Sequence, residues 1–394
     1  MKSTKLMAIA LMLCFSFSTF AAKKSSKKES VTFPESVAAN IVADYSKHVF
    51  NTYSELLKVN KNLEAAVAAF TKNPSVATQD AAKKAWQDAR YVYSATEAFR
   101  FYGGPIDDAK TGPEGLMNAW PLDEAYIDYV KGNADAGIIN NTKLFPKITK
   151  EVIVAQNEKD GEKNVSTGYH AIEFLLWGQD MDLKSAGKRS FEDYIPAKSA
   201  NAERRATYIN LVAAILVEHS QQLLTAWDPA VKGNFVESFL KAPPHETIQK
   251  MFLGIGTLAM DEMSGERMTV PLEKNDQENE QDCFSDLTHL DFIRNQEGIL
   301  AVYTGKYEGF NGIGLKAFIT AIDPKGEPNI QNTMDKTLSM FKELKPPFDN
   351  IIMEKKNGPG RKLSNKIIAS LQTQSKLIAK SISKVGMDIN IEHK

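Results

Sequence analysis

Cysteine is nearly absent: the 394 residues contain two, Cys14 and Cys283. Cys14 lies in an N-terminal segment that reads as removable, so Cys283 has no partner. No disulfide framework is available, and the chain must be held by its apolar core. An excess of charge of one sign is missing too. Lys and Arg number 48 against 49 Asp and Glu, a formal net charge of -1. That balance lacks the basic surplus by which nucleic-acid binding announces itself, so no nucleic-acid partner is expected. No apolar run reaches the ~20 residues of a permanent membrane span. No stretch alternates apolar and polar residues convincingly, which argues against half-buried strands.

Several catalytic motifs are also lacking. His245-Glu246 opens like a zincin helix, but Gln249 occupies the place of the second histidine. The acidic loop from Glu273 to Asp282 has neither the glycine nor the terminal glutamate of an EF-hand. Gly254-Ile255-Gly256 resembles a dinucleotide fingerprint but sits inside a helical pattern with no strand before it. There is no nucleophile elbow and no P-loop.

What is present is helical spacing. Val37, Ile41, Tyr45, Val49, Tyr53 and Leu56 form one apolar stripe, and Ala85, Ala89, Val92 and Phe99 form another. Similar spacing predicts helices over 122–131, 165–179, 203–227, 245–264, 295–304, 312–322, 329–344 and 363–385. The fold class is therefore all-α, read as two helical bundles packed side by side. A Gly/Pro and charged stretch near 185–202 divides them into an N-terminal bundle, 35–195, and a C-terminal bundle, 200–394. A faint echo between Glu97-Ala-Phe-Arg100 and Gly265-Glu-Arg267 suits a duplicated bundle. Before them, residues 1–21 read as a secretory signal peptide. Lys2 and Lys5 precede an apolar stretch from Leu6 to Phe15, and small residues at Thr19 and Ala21 suit cleavage. Residues 22–34 read as a disordered polar leader. Export to the periplasm or cell envelope is expected.

The most informative segment runs from Gly168 to Asp180, GYHAIEFLLWGQD. Apart from His170 and Glu173 its helix is apolar nearly all round, so it is expected to be buried. Residues three apart share a face. His170 and Glu173 therefore point together into the interior, with Trp177 beyond them. A buried carboxylate without a partner costs several kcal/mol, so another protein group or a metal must satisfy Glu173. A Glu and a His three apart on a bundle helix are a known way of supplying two ligands to an internal metal.

Here the chain resembles a known family. Gly168-Tyr-His170-Ala-Ile-Glu173 matches the GxHxxE signature of the imelysin-like proteins, classed among the metallopeptidases as the M75 type. Three stretches are similar to its iron-regulated protein A branch: Glu97 to Asp107, Asn118 to Asp128, and Ser264 to Met268 with Gln277 to Asp286 after it. The resemblance implies two helical bundles, export to the envelope, a link to iron uptake, and a metal site near the bundle interface. It implies one divalent or ferric ion, iron or zinc, on His170 and Glu173, with acidic ligands from earlier helices matching Glu97 and Asp123. Arg267, Arg100, Asp107 and Trp177 are further site candidates. For each the sequence leaves a plainer role open. Glu97, sharing a face with Trp86, Arg90, Tyr93 and Arg100, suits an Arg–Glu network. Asp123 suits a helix cap, Asp107 a turn, and Arg267 a salt bridge between domains. Cys283, Asp286, His289 and Asp291 also carry metal-capable atoms at loop spacing.

Three functions follow. One is a non-catalytic metal binder of the envelope that serves iron uptake, with an iron-transport component as partner and peripheral membrane contact. The second is a metallopeptidase, for which no dedicated general base is visible. The third is a scaffold whose cleft takes a peptide or another protein. The first accounts for most of the residues above.

Overall fold

Ile41, Tyr45, Val49, Tyr53 and Leu56 lie on one side of a 38-residue helix, α1 (Glu35–Lys72), and all are buried. That stripe is the spine of the molecule. The computed structural model describes residues 31–390; the expected signal peptide, and the leader up to residue 30, lie outside the described residues. α2 (Val76–Thr96) starts at a capping box, in which the Thr78 N–H donates to Ser75 Oγ and the Ser75 N–H to Thr78 Oγ1. The other principal helices are α3 (Gly168–Trp177), α4 (Ala202–Trp227), α5 (Pro244–Thr257), α6 (Thr288–Thr304), α7 (Leu315–Ile322), α8 (Glu327–Glu343) and α9 (Pro359–Ile382). Among the described residues the only strands are a short antiparallel hairpin, β1 (Lys306–Tyr307) with β2 (Phe310–Asn311). The all-α expectation stands. Among the described residues no helix is long and apolar enough to cross a membrane.

Two bundles pack side by side. α1, α2, α3 and α4 pack on one another, and α5, α6, α8 and α9 form the second group. α2 against α6 and α1 against α5 join them, and the buried apolar residues make one continuous core. The crossing between bundles differs from the expected one. The stretch near 185–202 is a loop of the first bundle: Arg189 binds the buried Asp128 at 2.7 Å, and the Tyr194 ring packs on Phe70. α4, which follows it, lies along α1 and α3. The chain passes to the second bundle only after Trp227, so the boundary predicted at 195–200 moves beyond α4.

Three helices also differ from their predicted extents, each for a local reason. The one expected over 122–131 is a single turn, Glu124–Ile127. There the chain turns extended at Asp128, whose carboxylate is taken by Arg189 and Arg205. α6 begins seven residues before the predicted 295, because its first two turns bury Thr288, Asp291 and Arg294 beside the single buried apolar side chain of Phe292. α5 does not stop near 264. It continues through Leu258–Thr269 as a π-helix, with the Val270 N–H donating to Gly265 O, and then through Val270–Lys274. Such widened turns cluster at functional sites.

The α2–α6 contact sets the geometry of the seam. Gly298 of α6 comes so close to α2 that an added Cβ would stand 2.5 Å from the Ala95 carbonyl oxygen. A backbone carbonyl cannot step aside as a side chain can. Gly298→Ala should therefore destabilise the protein by ~1–3 kcal/mol, the cost of overpacking, measured by denaturant unfolding; an unchanged midpoint would mean the seam is looser than described.

Candidate metal centre

α3 is buried at every position from Gly168 to Trp177. Its first residue must be glycine for two reasons. Gly168 has φ +84°, and an added Cβ would lie 2.5 Å from the Met117 carbonyl oxygen. The segment before it is held by Asn157, whose Oδ1 accepts from the backbone N–H groups of Ser166 (3.0 Å) and Thr167 (3.2 Å). This fixes the entry of α3, places His170 in its first turn and Glu173 one turn later, and aims both at the seam between the bundles.

Across the seam stands Asp282, in the loop before α6. His170 Nδ1 lies 3.0 Å from Glu173 Oε2 and 3.6 Å from Asp282 Oδ1. One ligand atom from each of the three residues falls within 4.8 Å of the others. All three side chains are at most 1% exposed. Glu173 Oε1 accepts the Ser285 backbone N–H at 2.9 Å. His170 Nε2 and both Asp282 carboxylate oxygens have no hydrogen-bond partner.

The charges explain why this matters. Arg90, on α2, donates through Nε to Asp291 at 2.8 Å, while its Nε stands 3.4 Å from Asp282. Ser94 Oγ also donates to Asp291, at 2.7 Å. One guanidinium thus faces two buried carboxylates and belongs mainly to Asp291. Burial raises the Glu173 carboxyl above its ordinary range, with Ser285 and Arg90 opposing. Burial and then Asp291 raise Asp282. Burial, Arg90 and Arg267 lower His170, which leaves the imidazole neutral. A neutral imidazole and two under-neutralised carboxylates are a donor set that a cation satisfies, and one nitrogen with carboxylate oxygens suits Fe, Mn or Zn. The orphaned atoms fit a metal.

The remaining candidates serve other ends. Glu97 is fully buried but does not converge on His170. It pairs with Arg267 and, at 3.3 Å, with Arg100, and it accepts from Asn295 Nδ2 at 3.4 Å. Burial alone would raise its carboxyl, but Arg267 and Arg100 outweigh that and lower it. The two echoing segments of the sequence therefore meet each other, and both arginines are used in the meeting. Arg100 also binds Glu114 at 3.0 Å, and Arg267 donates to Asn295 Oδ1 at 2.8 Å. Asp123 is exposed and caps the turn Glu124–Ile127, accepting the Ala125 N–H at 3.0 Å; it lies outside the converging set. Asp107 closes its own turn, accepting the N–H groups of Phe101 and Gly104. Trp177 packs edge-on against Trp86, ring centres 5.3 Å apart, as core. Cys283 is a buried free thiol whose pKa burial pushes up.

Asp282 is the member that residue reasoning misses, and Arg90 its neighbour. The available signal is the density of acids from Gln277 to Asp286, four carboxylates in ten residues of a segment too polar for a helix core.

Glu97 and Asp123 separate a buried ion pair from a surface cap. Glu97→Gln, which leaves the buried Arg267 with only the partly exposed Glu262 at 3.3 Å as counter-charge, should cost ~3–5 kcal/mol. Asp123→Ala should cost ~1 kcal/mol, the loss of one cap. Chemical denaturation of both variants measures the difference, and equal losses would contradict the placement.

Comparison with known proteins bears on the same region. The family model described as imelysin matches residues 49–378. An iron-regulated protein A of Synechococcus elongatus is 24% identical over 252 residues, covering 62% of this chain. The chain spans 58% of the length of that curated relative. The crystal structure of a protein described as an iron-regulated protein A precursor, from Parabacteroides distasonis, superposes with a TM-score of 0.70 at 18% identity. It covers 90% of this chain and 97% of its own, and shows that the fold is the same. With the family model matched over most of its length, the chain belongs to the imelysin family.

Proposed function

We propose that this chain is an exported protein of the cell envelope that binds one metal ion, iron or zinc, in the service of iron uptake, and that His170, Glu173 and Asp282 hold the ion. The observation that carries the reading is the convergence of three fully buried donors, of which His170 Nε2 and both Asp282 oxygens have no hydrogen-bond partner. Such an arrangement costs several kcal/mol unless a cation or protons neutralise it. The family relationship, including a relative named for its regulation by iron, supports the same reading. So does an N-terminal segment with the pattern of a secretory signal. An iron-transport component of the envelope is then the natural recipient of the ion.

A bound ion here would supply positive charge between two carboxylates and lock α3 to the loop across the seam. A peptidase would need more. The scissile bond must reach the ion, yet every donor is at most 1% exposed. A general base apart from the ligands must also stand beside the bound water. Glu173 is already engaged by His170 and Ser285. These observations favour holding over cutting.

Metal analysis of the purified protein after loading with iron or zinc should find about one ion per chain at this site, lost in His170→Ala and in Asp282→Asn. Equal metal content in the wild type and both variants would sink the proposal. An unfolded protein substrate should show no cleavage that a chelator stops. Turnover abolished by Glu173→Gln would turn the reading to a peptidase.

A further inference from the structure

A second group of carboxylates lies beyond the first and involves none of its donors. Asp180 follows α3, Asp286 lies in the loop before α6, and Asp349 belongs to the short helix Phe348–Ile352. One oxygen from each falls within 4.8 Å of the others. Glu280, itself 0% exposed, turns its carboxylate onto Asp349. Both oxygens of Glu280, both of Asp349, Oδ2 of Asp180 and Oδ1 of Asp286 have no hydrogen-bond partner.

The rest of the molecule shows how this fold treats a buried acid when protein groups are to neutralise it. Glu97 is held by Arg267 and Arg100, Asp128 by Arg189 and Arg205, and Asp291 by Arg90. Among the described residues none of the four acids at the second group is in an ion pair. Four carboxylates are brought together from three separate segments, two of them at 0% exposure, with no cationic side chain to neutralise them and only the Thr288 hydroxyl beside Glu280; they call for protons or for a cation from outside the chain. The donor atoms are all oxygen, which selects a hard ion over zinc or copper. Magnesium keeps several waters and takes one or two carboxylates, whereas calcium accepts six to eight oxygens at ~2.3–2.6 Å. Oxygens on opposite sides of one calcium are then about 5 Å apart, and the separation among Asp180, Asp286 and Asp349 falls inside that limit. Asp180 also lines a surface pocket of about 360 Å³ together with Gly178, Met181 and Lys188.

We propose that Asp180, Glu280, Asp286 and Asp349 form a second cation site, of calcium type, separate from the His170 centre. It ties the segment after α3 and the helix Phe348–Ile352 to the loop that carries Asp282 and Ser285. An ion there braces the loop where Asp282 and Ser285 meet His170 and Glu173 of α3.

Calorimetric titration of the chelator-treated full chain with calcium tests this. One calcium per chain is expected in the wild type and, with affinity unchanged, in His170→Ala. In Asp349→Asn and in Asp286→Asn the affinity should fall by ~10-fold or more, since calcium affinity follows ligand charge. Asp286 has φ +61°, a conformation asparagine tolerates, so Asp286→Asn decides the matter should Asp349→Asn lose its circular dichroism signal. No calcium uptake by the wild type would overturn the proposal. Uptake unchanged in Asp286→Asn, or abolished by His170→Ala, would do so too.

Discussion

Buried negative charge at the seam between the two bundles is the constraint on which the site depends. Water cannot reach these carboxylates, so each must meet a donor, a cation or a proton. Three arginines, Arg90, Arg100 and Arg267, enter the seam, and they are consumed by Asp291 and Glu97. Glu173 and Asp282 are left with one backbone N–H, a neutral imidazole and a distant guanidinium. The surplus of acids over cations is what makes this part of the seam a candidate centre, while the neighbouring Glu97 network is closed.

The GxHxxE signature has a physical content beyond its two polar residues. The glycine is needed because α3 begins with a positive φ and with its backbone against the Met117 carbonyl. Only from that starting point do the first and second turns present His170 and Glu173 to the loop before α6. The apolar residues between them pack into the core on every other side of the helix. The same burial that makes the helix rigid shields the donors from substrate, and both effects suit a protein that retains an ion better than one that processes a chain. The π-helical stretch Leu258–Thr269 serves the seam from the other bundle, carrying Arg267 to Glu97.

Much of the architecture is legible in the order of residues. Apolar spacing marks α4, α8 and α9 to within a few residues, and marks α1 by its stripe from Val37 to Leu56, because each packs an apolar stripe on the core. Apolar spacing fades where a buried face is polar. The first turns of α6 carry Asp291 and Arg294 inward beside Phe292, so one apolar side chain makes no stripe there. Apolar spacing fails also at Asp128, where two arginines from distant positions pull the chain out of its helix. Position near a loop of Gly and Pro does not reveal on which bundle that loop lies, and so the crossing is misplaced before α4.

His170 and Glu173 are determined as a pair by their spacing on one helix, since three residues make one turn whatever the rest of the chain does. The same local logic makes Asp123 a cap and Asp107 a turn residue. The third donor is a matter of tertiary structure. Asp282 stands 112 positions from His170 and meets it at 3.6 Å only because α2 and α6 close the seam. Likewise Glu97 has the same acidic side chain as Glu173, yet ends in a different role because Arg267 arrives from 170 residues away. Whether a carboxylate is neutralised by an arginine or left for an ion depends on which partner the fold delivers within a few ångströms, and no spacing along the chain encodes that distance.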